Sequence, residues 1–133
     1  MRLEPLYRLT FRYERSWTIR LGDDVHQLLR GEGRCEGAVT GRFAGQNSAR
    51  RNADRPFEPD YQGVIETDDG AAILWHLTGF GRPEEGRVVA AVKHLTDDDR
   101  YRRLNDVLCA VNGVVREREV TLEVAELVWE PIP

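Results

Sequence analysis

The sequence predicts an all-β protein: an eight-stranded, mainly antiparallel up-and-down β-barrel with one or two short helical turns. Three observations predict it. Apolar residues alternate with polar ones in short runs along nearly the whole chain, and Gly-, Asp- and Pro-containing turns separate the runs. Between Glu32 and Gln46 the odd positions read Gly33, Cys35, Gly37, Val39, Gly41, Phe43 and Gly45, so every fourth residue is glycine on one face of an extended strand. The hairpin around Asp68-Asp69-Gly70 is the third signal. Eight antiparallel strands can close on themselves, removing exposed edges and leaving an interior for side chains or one small ligand. A cupin-like jelly roll is the runner-up.

Taken in order, Leu3 to Tyr13 forms the first strand, with Tyr7, Leu9, Phe11 and Tyr13 on its apolar face. Trp17, Ile19 and Leu21 repeat the period before a turn at Gly22-Asp23-Asp24. Val25, Leu28 and Leu29 have helical spacing with Gly31 as a stop, which predicts one or two helical turns. The glycine-rich segment follows as one strongly curved strand, because a strand glycine marks a bend or the close approach of another group. Gln46 to Pro59, polar and Arg-rich with two prolines, reads as a loop of the length that often carries function.

Residues 60–79 predict a hairpin in which Ile65 opposes Ile73, Gly63 opposes Trp75 and Gln62 opposes His76, with a type I turn and a glycine bulge at its tip. Val88, Ala90, Val92 and His94 share the inner face of the next strand. Thr96 and Asp99 have the spacing of a helix N-cap, with Tyr101 and Leu104 on the buried side of the short helix it starts. Val107, Cys109 and Val111 form a strand, Asn112-Gly113 a turn, and Val120, Leu122 and Val124 open the last strand. Its apolar phase then moves to Leu127 and Trp129, which predicts a bulge near Ala125 or Glu126.

The chain of 133 residues makes one domain, residues 1–133, large enough to fold without a metal or disulfide. With 41% hydrophobic and 32% charged residues it is a folded globule rather than a disordered chain. No apolar run nears the ~20 residues of a spanning helix and no signal-peptide core is present, so no membrane partner and a cytoplasmic location are expected. The net charge of −4, with no aromatic platforms beside the arginine clusters, argues against nucleic acid. Cys35 and Cys109 lack metal or disulfide spacing and read as small buried hydrophobes.

The run Pro59-Asp60-Tyr61-Gln62-Gly63-Val64-Ile65-Glu66-Thr67-Asp68-Asp69-Gly70-Ala71-Ala72-Ile73, followed by Gly79, resembles the bacterial family called domain of unknown function 3237. The stretch Asp99-Arg100-Tyr101-Arg102-Arg103-Leu104-Asn105 is similar to that family's second turn motif. The resemblance covers roughly residues 3–130 and implies a calycin-like barrel of bacterial origin with no agreed activity. The segment from Gly45 to Asn52 departs from the commoner family pattern, at a loop expected to border the barrel mouth.

His94 is the leading chemical candidate, since burial among apolar neighbours keeps an imidazole neutral, as a general base requires. Glu66 and Asp60 are its candidate assistants. His76 and Glu66 share a face, which makes them an acid/base pair if that face lines a cavity and surface residues if it meets water. Asn47, Arg50 and Arg51 are candidates for an anionic group, because the arginine fork fits a carboxylate or phosphate. Trp75 and Tyr101 complete the ligand-binding candidates. No metal site and no cofactor motif is legible.

Three functions follow: a barrel enclosing a small, partly apolar organic ligand, with or without an anionic group; a cofactor-independent isomerase, cyclase or dehydratase using an inward histidine; or a structural barrel that forms a homodimer. Both small-molecule readings call for a cavity above ~300 Å³, the usual floor for a ligand pocket.

Overall fold

The computed structural model describes residues 1–133 and is a closed eight-stranded barrel. The strands are β1 (Arg2–Leu21), β2 (Asp24–Gly37), β3 (Gly41–Asn52), β4 (Asp60–Thr67), β5 (Ala72–Arg82), β6 (Arg87–Leu95), β7 (Leu108–Arg116) and β8 (Glu119–Val128). Each pairs antiparallel with its sequence neighbour, and β1 pairs with β8 to close the sheet. Helical structure is confined to two 3-10 turns, Pro83–Glu85 and Arg102–Asp106. No helix is long and apolar enough to cross a membrane.

Eight strands were expected, and the count holds through two compensating differences. The runs 3–13 and 17–21 are one strand, β1, because a bulge between Tyr13 and Arg15 lets the chain continue. That bulge reverses the faces, so Trp17 and Ile19 pair with Leu28 and His26 on the outside while Leu9 and Phe11 point in. The glycine-rich segment is two strands rather than one. Residues 38–40 form a tight turn, Cys35 opposes Gly41, and Gly31 opposes Gly45. Odd positions stay inward on both sides because this register keeps their parity.

Residues 25–31 are not helical. They belong to β2, held between β1 and β3, so ladder hydrogen bonds override a three-residue spacing cue. Gln46 to Asn52 is likewise strand, and the loop shrinks to residues 53–59. Asn112-Gly113 lies inside β7, and the turn falls at Glu117-Arg118, where Glu117 adopts φ 57°. Thr96 does not cap a helix: its hydroxyl donates to the Ala72 carbonyl at 2.7 Å. The bulge opposite Ala125 exists, but its extra residue is Leu6 on β1. The hairpin register at Ile65–Ile73, Gly63–Trp75 and Gln62–His76 is as expected.

The space left by inward glycines is filled by rings from neighbouring strands. A Cβ on Gly63 would lie 2.7 Å from the Phe43 ring, one on Gly45 2.7 Å from the Tyr61 ring, and one on Gly31 3.1 Å from the Phe11 ring. Phe11, Phe43, Tyr61 and Trp75 thereby form one cluster with neighbouring centroids 5.0 to 5.7 Å apart. Each such pair adds roughly 0.5–1.5 kcal/mol beyond its buried area. The glycines therefore make room for the protein's own aromatic core.

Candidate functional site

The two ends of the barrel differ. At one end Leu104, delivered by the 3-10 turn Arg102–Asp106, packs with Leu6 and Val39 and plugs the interior. Two polar clasps hold that plug. The Tyr101 hydroxyl donates to Asp69 at 2.7 Å, and Arg100 donates to the Asp69 carbonyl at 2.8 Å. Asn105 exchanges two hydrogen bonds with the Thr96 backbone, at 2.8 and 2.9 Å. Tyr101 is thus a closing element at the plugged end and does not line the open mouth.

Just inside the plug lies a buried polar chain. The Trp75 indole donates to the Tyr7 hydroxyl at 2.9 Å, and Tyr7 meets His94 Nε2 at 2.6 Å. Nδ1 has no partner. Desolvation lowers the His94 pKa from 6.5 to about 4, so the ring is neutral. The inward, neutral histidine is as expected, and its predicted helpers are not. Glu66 lies exposed on the outer face opposite Arg42 and Ala72, and Asp60 is bound to His76 at 2.8 Å outside the barrel. Strand alternation puts both carboxylates on the other side of the wall from His94. His76 and Glu66 accordingly belong to the surface.

The opposite end is open. A cavity of about 80 Å³ sits there, above the Phe11–Tyr61 rings, walled mainly by Leu29, Leu77, Val120 and Leu122 and bordered by Phe57 and Pro59. Phe57 exchanges backbone hydrogen bonds with Gly81 at 2.9 Å in both directions, which straps the 53–59 loop across part of the mouth. The polar wall consists of Tyr13, Gln27, Asn47 and Tyr61. Asn47 is 6% exposed and locked: its Oδ1 accepts the Asp60 N–H at 3.0 Å and its Nδ2 donates to the Tyr13 hydroxyl at 3.3 Å. The Tyr61 hydroxyl is buried without a partner. Desolvation raises Tyr13 to about 12 and lifts Tyr61 well above its ordinary value, so both phenols keep their protons.

Among the expected ligand residues only Asn47 lines this cavity. Trp75 and His94 are inside but enclosed by the aromatic cluster, 1% and 4% exposed. Arg50 points outward and joins Glu58 through backbone bonds. Arg51 stands over the Phe57 ring at 5.1 Å with its charge met by Glu84 at 2.9 Å. Arg51 is therefore spent on Glu84, and Arg50, whose guanidinium has no ion pair, lies on the outer face rather than in the cavity wall. Tyr13 and Tyr61 also line the cavity, and their only sequence signal was a place on the apolar face of an alternating strand, which marks core and site residues alike.

By architecture, the molecule belongs to the closed eight-stranded antiparallel barrels with one plugged and one open end. No family model matches the chain, and no curated protein does. Solved structures match over nearly its whole length. It is similar to a β-barrel-like protein from Acinetobacter baumannii (TM-score 0.86, 19% identity, 96% of each chain). It is similar also to a conserved protein of unknown function from Rhodopseudomonas palustris (TM-score 0.84, 18% identity, 96% of this chain and 97% of that one). A protein described as an enzyme, from Penicillium herquei, aligns with TM-score 0.77 and 21% identity over 95% of this chain and 94% of its own. At such identities the likeness establishes the fold and nothing finer.

Proposed function

We propose that the protein binds a small, mainly apolar molecule end-on through the open mouth. The observation that carries this is the open mouth itself, where the aromatic core leaves a cavity walled by Leu29, Leu77, Val120 and Leu122. The cavity of about 80 Å³ falls well short of the ~300 Å³ floor, so the barrel does not enclose a ligand as the sequence led us to expect, and what enters is a head group whose remainder lies over the rim. Neutral ligands are favoured over anions because Glu84 already pairs with Arg51. Membership of the domain of unknown function 3237 family remains part of the proposal, resting on the two motifs that meet at Asp69 and Tyr101.

The test is a heteronuclear NMR titration with toluene as the apolar probe. Saturable shifts at Leu29, Leu77 and Leu122 are expected, and they should vanish in Gly81→Val. Gly81 lines the cavity and a Cβ there meets nothing closer than 3.7 Å, so a larger side chain narrows the cavity; an unchanged spectrum outside the mouth checks that the fold is kept. Shifts that persist in Gly81→Val, or none in the natural protein, reject the mouth as a binding site.

A second reading, a homodimer, is supported by the end of β1. Pairing with β8 ends at Arg12–Glu119, which leaves the outer edge of residues 14–21 without a strand. Trp17, Ile19 and Leu21 are exposed on that arm, at 40%, 65% and 76%. An uncovered, apolar edge is a template for a second strand. Light scattering at micromolar concentration should give a dimer that Ile19→Lys dissociates; a monomer at all concentrations ends this reading.

A further inference from the structure

The open edge of β1 has two fixed boundaries, and together they restrict how a second copy can join it, which deepens and rests on the homodimer reading above. At one boundary the Tyr13 N–H donates to the Arg118 carbonyl at 2.9 Å, so the β7–β8 turn covers the edge as far as Tyr13. At the other the chain turns at Gly22-Asp23 into β2. Between them residues 15–21 pair with β2 alone. The extra residue Glu14 sets Trp17, Ile19 and Leu21 on the outer face and Ser16, Thr18 and Arg20 on the other. Arg15, whose guanidinium lies 4.6 Å from the centre of the Trp17 ring, and Asp23, exposed at the turn, are both without an ion-pair partner.

We propose that two copies pair these edges antiparallel about a two-fold axis through Ile19. Opposite residues of an antiparallel pair share a face, so such an axis passes through a residue and not between two. An axis at Trp17 or Thr18 would lay the partner's hairpin against Tyr13, whose N–H is already spent on Arg118. An axis at Arg20 would set Trp17 against the partner's Asp23. At Ile19 the partner's hairpin ends opposite Arg15, clear of the β7–β8 turn. Ile19 then meets the partner's Ile19 and Trp17 meets the partner's Leu21, so the exposed apolar residues of both copies merge into one row. Arg15 of each copy comes opposite the partner's Asp23, and the unpaired charges are matched twice. Main-chain hydrogen bonds along the joined edges supply affinity, while the apolar row and the two charge pairs fix the register.

The test measures dimer dissociation constants of the full chain by analytical ultracentrifugation, for the natural protein, Arg15→Glu, Asp23→Arg and an equal mixture of the two variants. Each variant alone should dimerise roughly tenfold more weakly, since two attractive pairs become repulsive. The mixture should recover the natural affinity, because a mixed dimer has opposite charges at both contacts. That recovery also shows that both variants are folded. A dimer indifferent to either variant, or weakened variants that do not recover on mixing, overturns the register through Ile19 while leaving the homodimer standing. A natural protein that stays monomeric overturns both.

Discussion

His94 shows how position alone sets the chemistry of a side chain. Its Nε2 is satisfied by Tyr7, its ring is dry, and its pKa falls from 6.5 to about 4. In the unfolded chain the ring titrates near 6.5, so above that pH both states are neutral and the group has no effect on stability. As pH drops from 6.5 toward 4 only the unfolded state gains the proton, and stability declines by about 1.4 kcal/mol per pH unit, roughly 3 kcal/mol in all. His94→Gln can still hydrogen-bond Tyr7 and cannot titrate. Chemical denaturation at pH 7 and pH 4 should therefore show an acid loss smaller by roughly 3 kcal/mol in the variant; equal losses would mean that the ring is already charged in the fold. His94 was legible as an inward residue from its phase with Val88, Ala90 and Val92. Its distance from any carboxylate was not, because the partner question depends on which strands the barrel places around it.

Among the elements, the β2–β3 hairpin shows how backbone approach constrains residue choice. A Cβ on Gly33 would overlap the Thr10 carbonyl of β1, whereas one on Gly81 would meet ordinary contacts at 3.7 Å. Gly33→Ala should thus cost at least about 3 kcal/mol in thermal or urea unfolding, as overpacking against a backbone does. Gly81→Ala should stay within about 1 kcal/mol of the natural protein. Comparable stability of the two variants would contradict the close β1–β2 approach. At the β4–β5 turn, Thr67 accepts the Ala71 N–H at 2.8 Å and donates to Asp69 at 2.6 Å. Thr67→Ala should lower stability by roughly 1–2 kcal/mol and free Tyr101, visible as increased amide exchange at residues 100–104. Unchanged exchange there would separate the hairpin from the plug. This hairpin was readable in advance because its turn residues and its alternation agree. Residues 25–31 and 46–52 were not, since Gln27, Asn47 and Arg51 interrupt the inward apolar pattern that identifies a strand.

For the whole molecule, closure through β1 and β8 makes every strand a neighbour of two others, so no strand can leave without opening the barrel. Cys35 on β2 and Cys109 on β7 are both fully buried, and desolvation raises their thiols to about 12 and about 11. With a thiol-specific reagent in excess, both should react at one common rate equal to global unfolding; a faster reaction of either would reveal local opening of the wall. From the sequence came the period-2 faces, the all-β class, the inward direction of His94 and the register at Ile65–Ile73, because alternation and turn chemistry are local properties of the chain; which face of the 60–79 hairpin turns inward was not among them. Only the tertiary structure decided that aromatic rings fill the glycine gaps, that Leu104 plugs one end, and that Tyr13, Asn47 and Tyr61 meet at the other. These are contacts between strands far apart in the chain, fixed by barrel curvature and strand stagger, and no run of neighbouring residues encodes them.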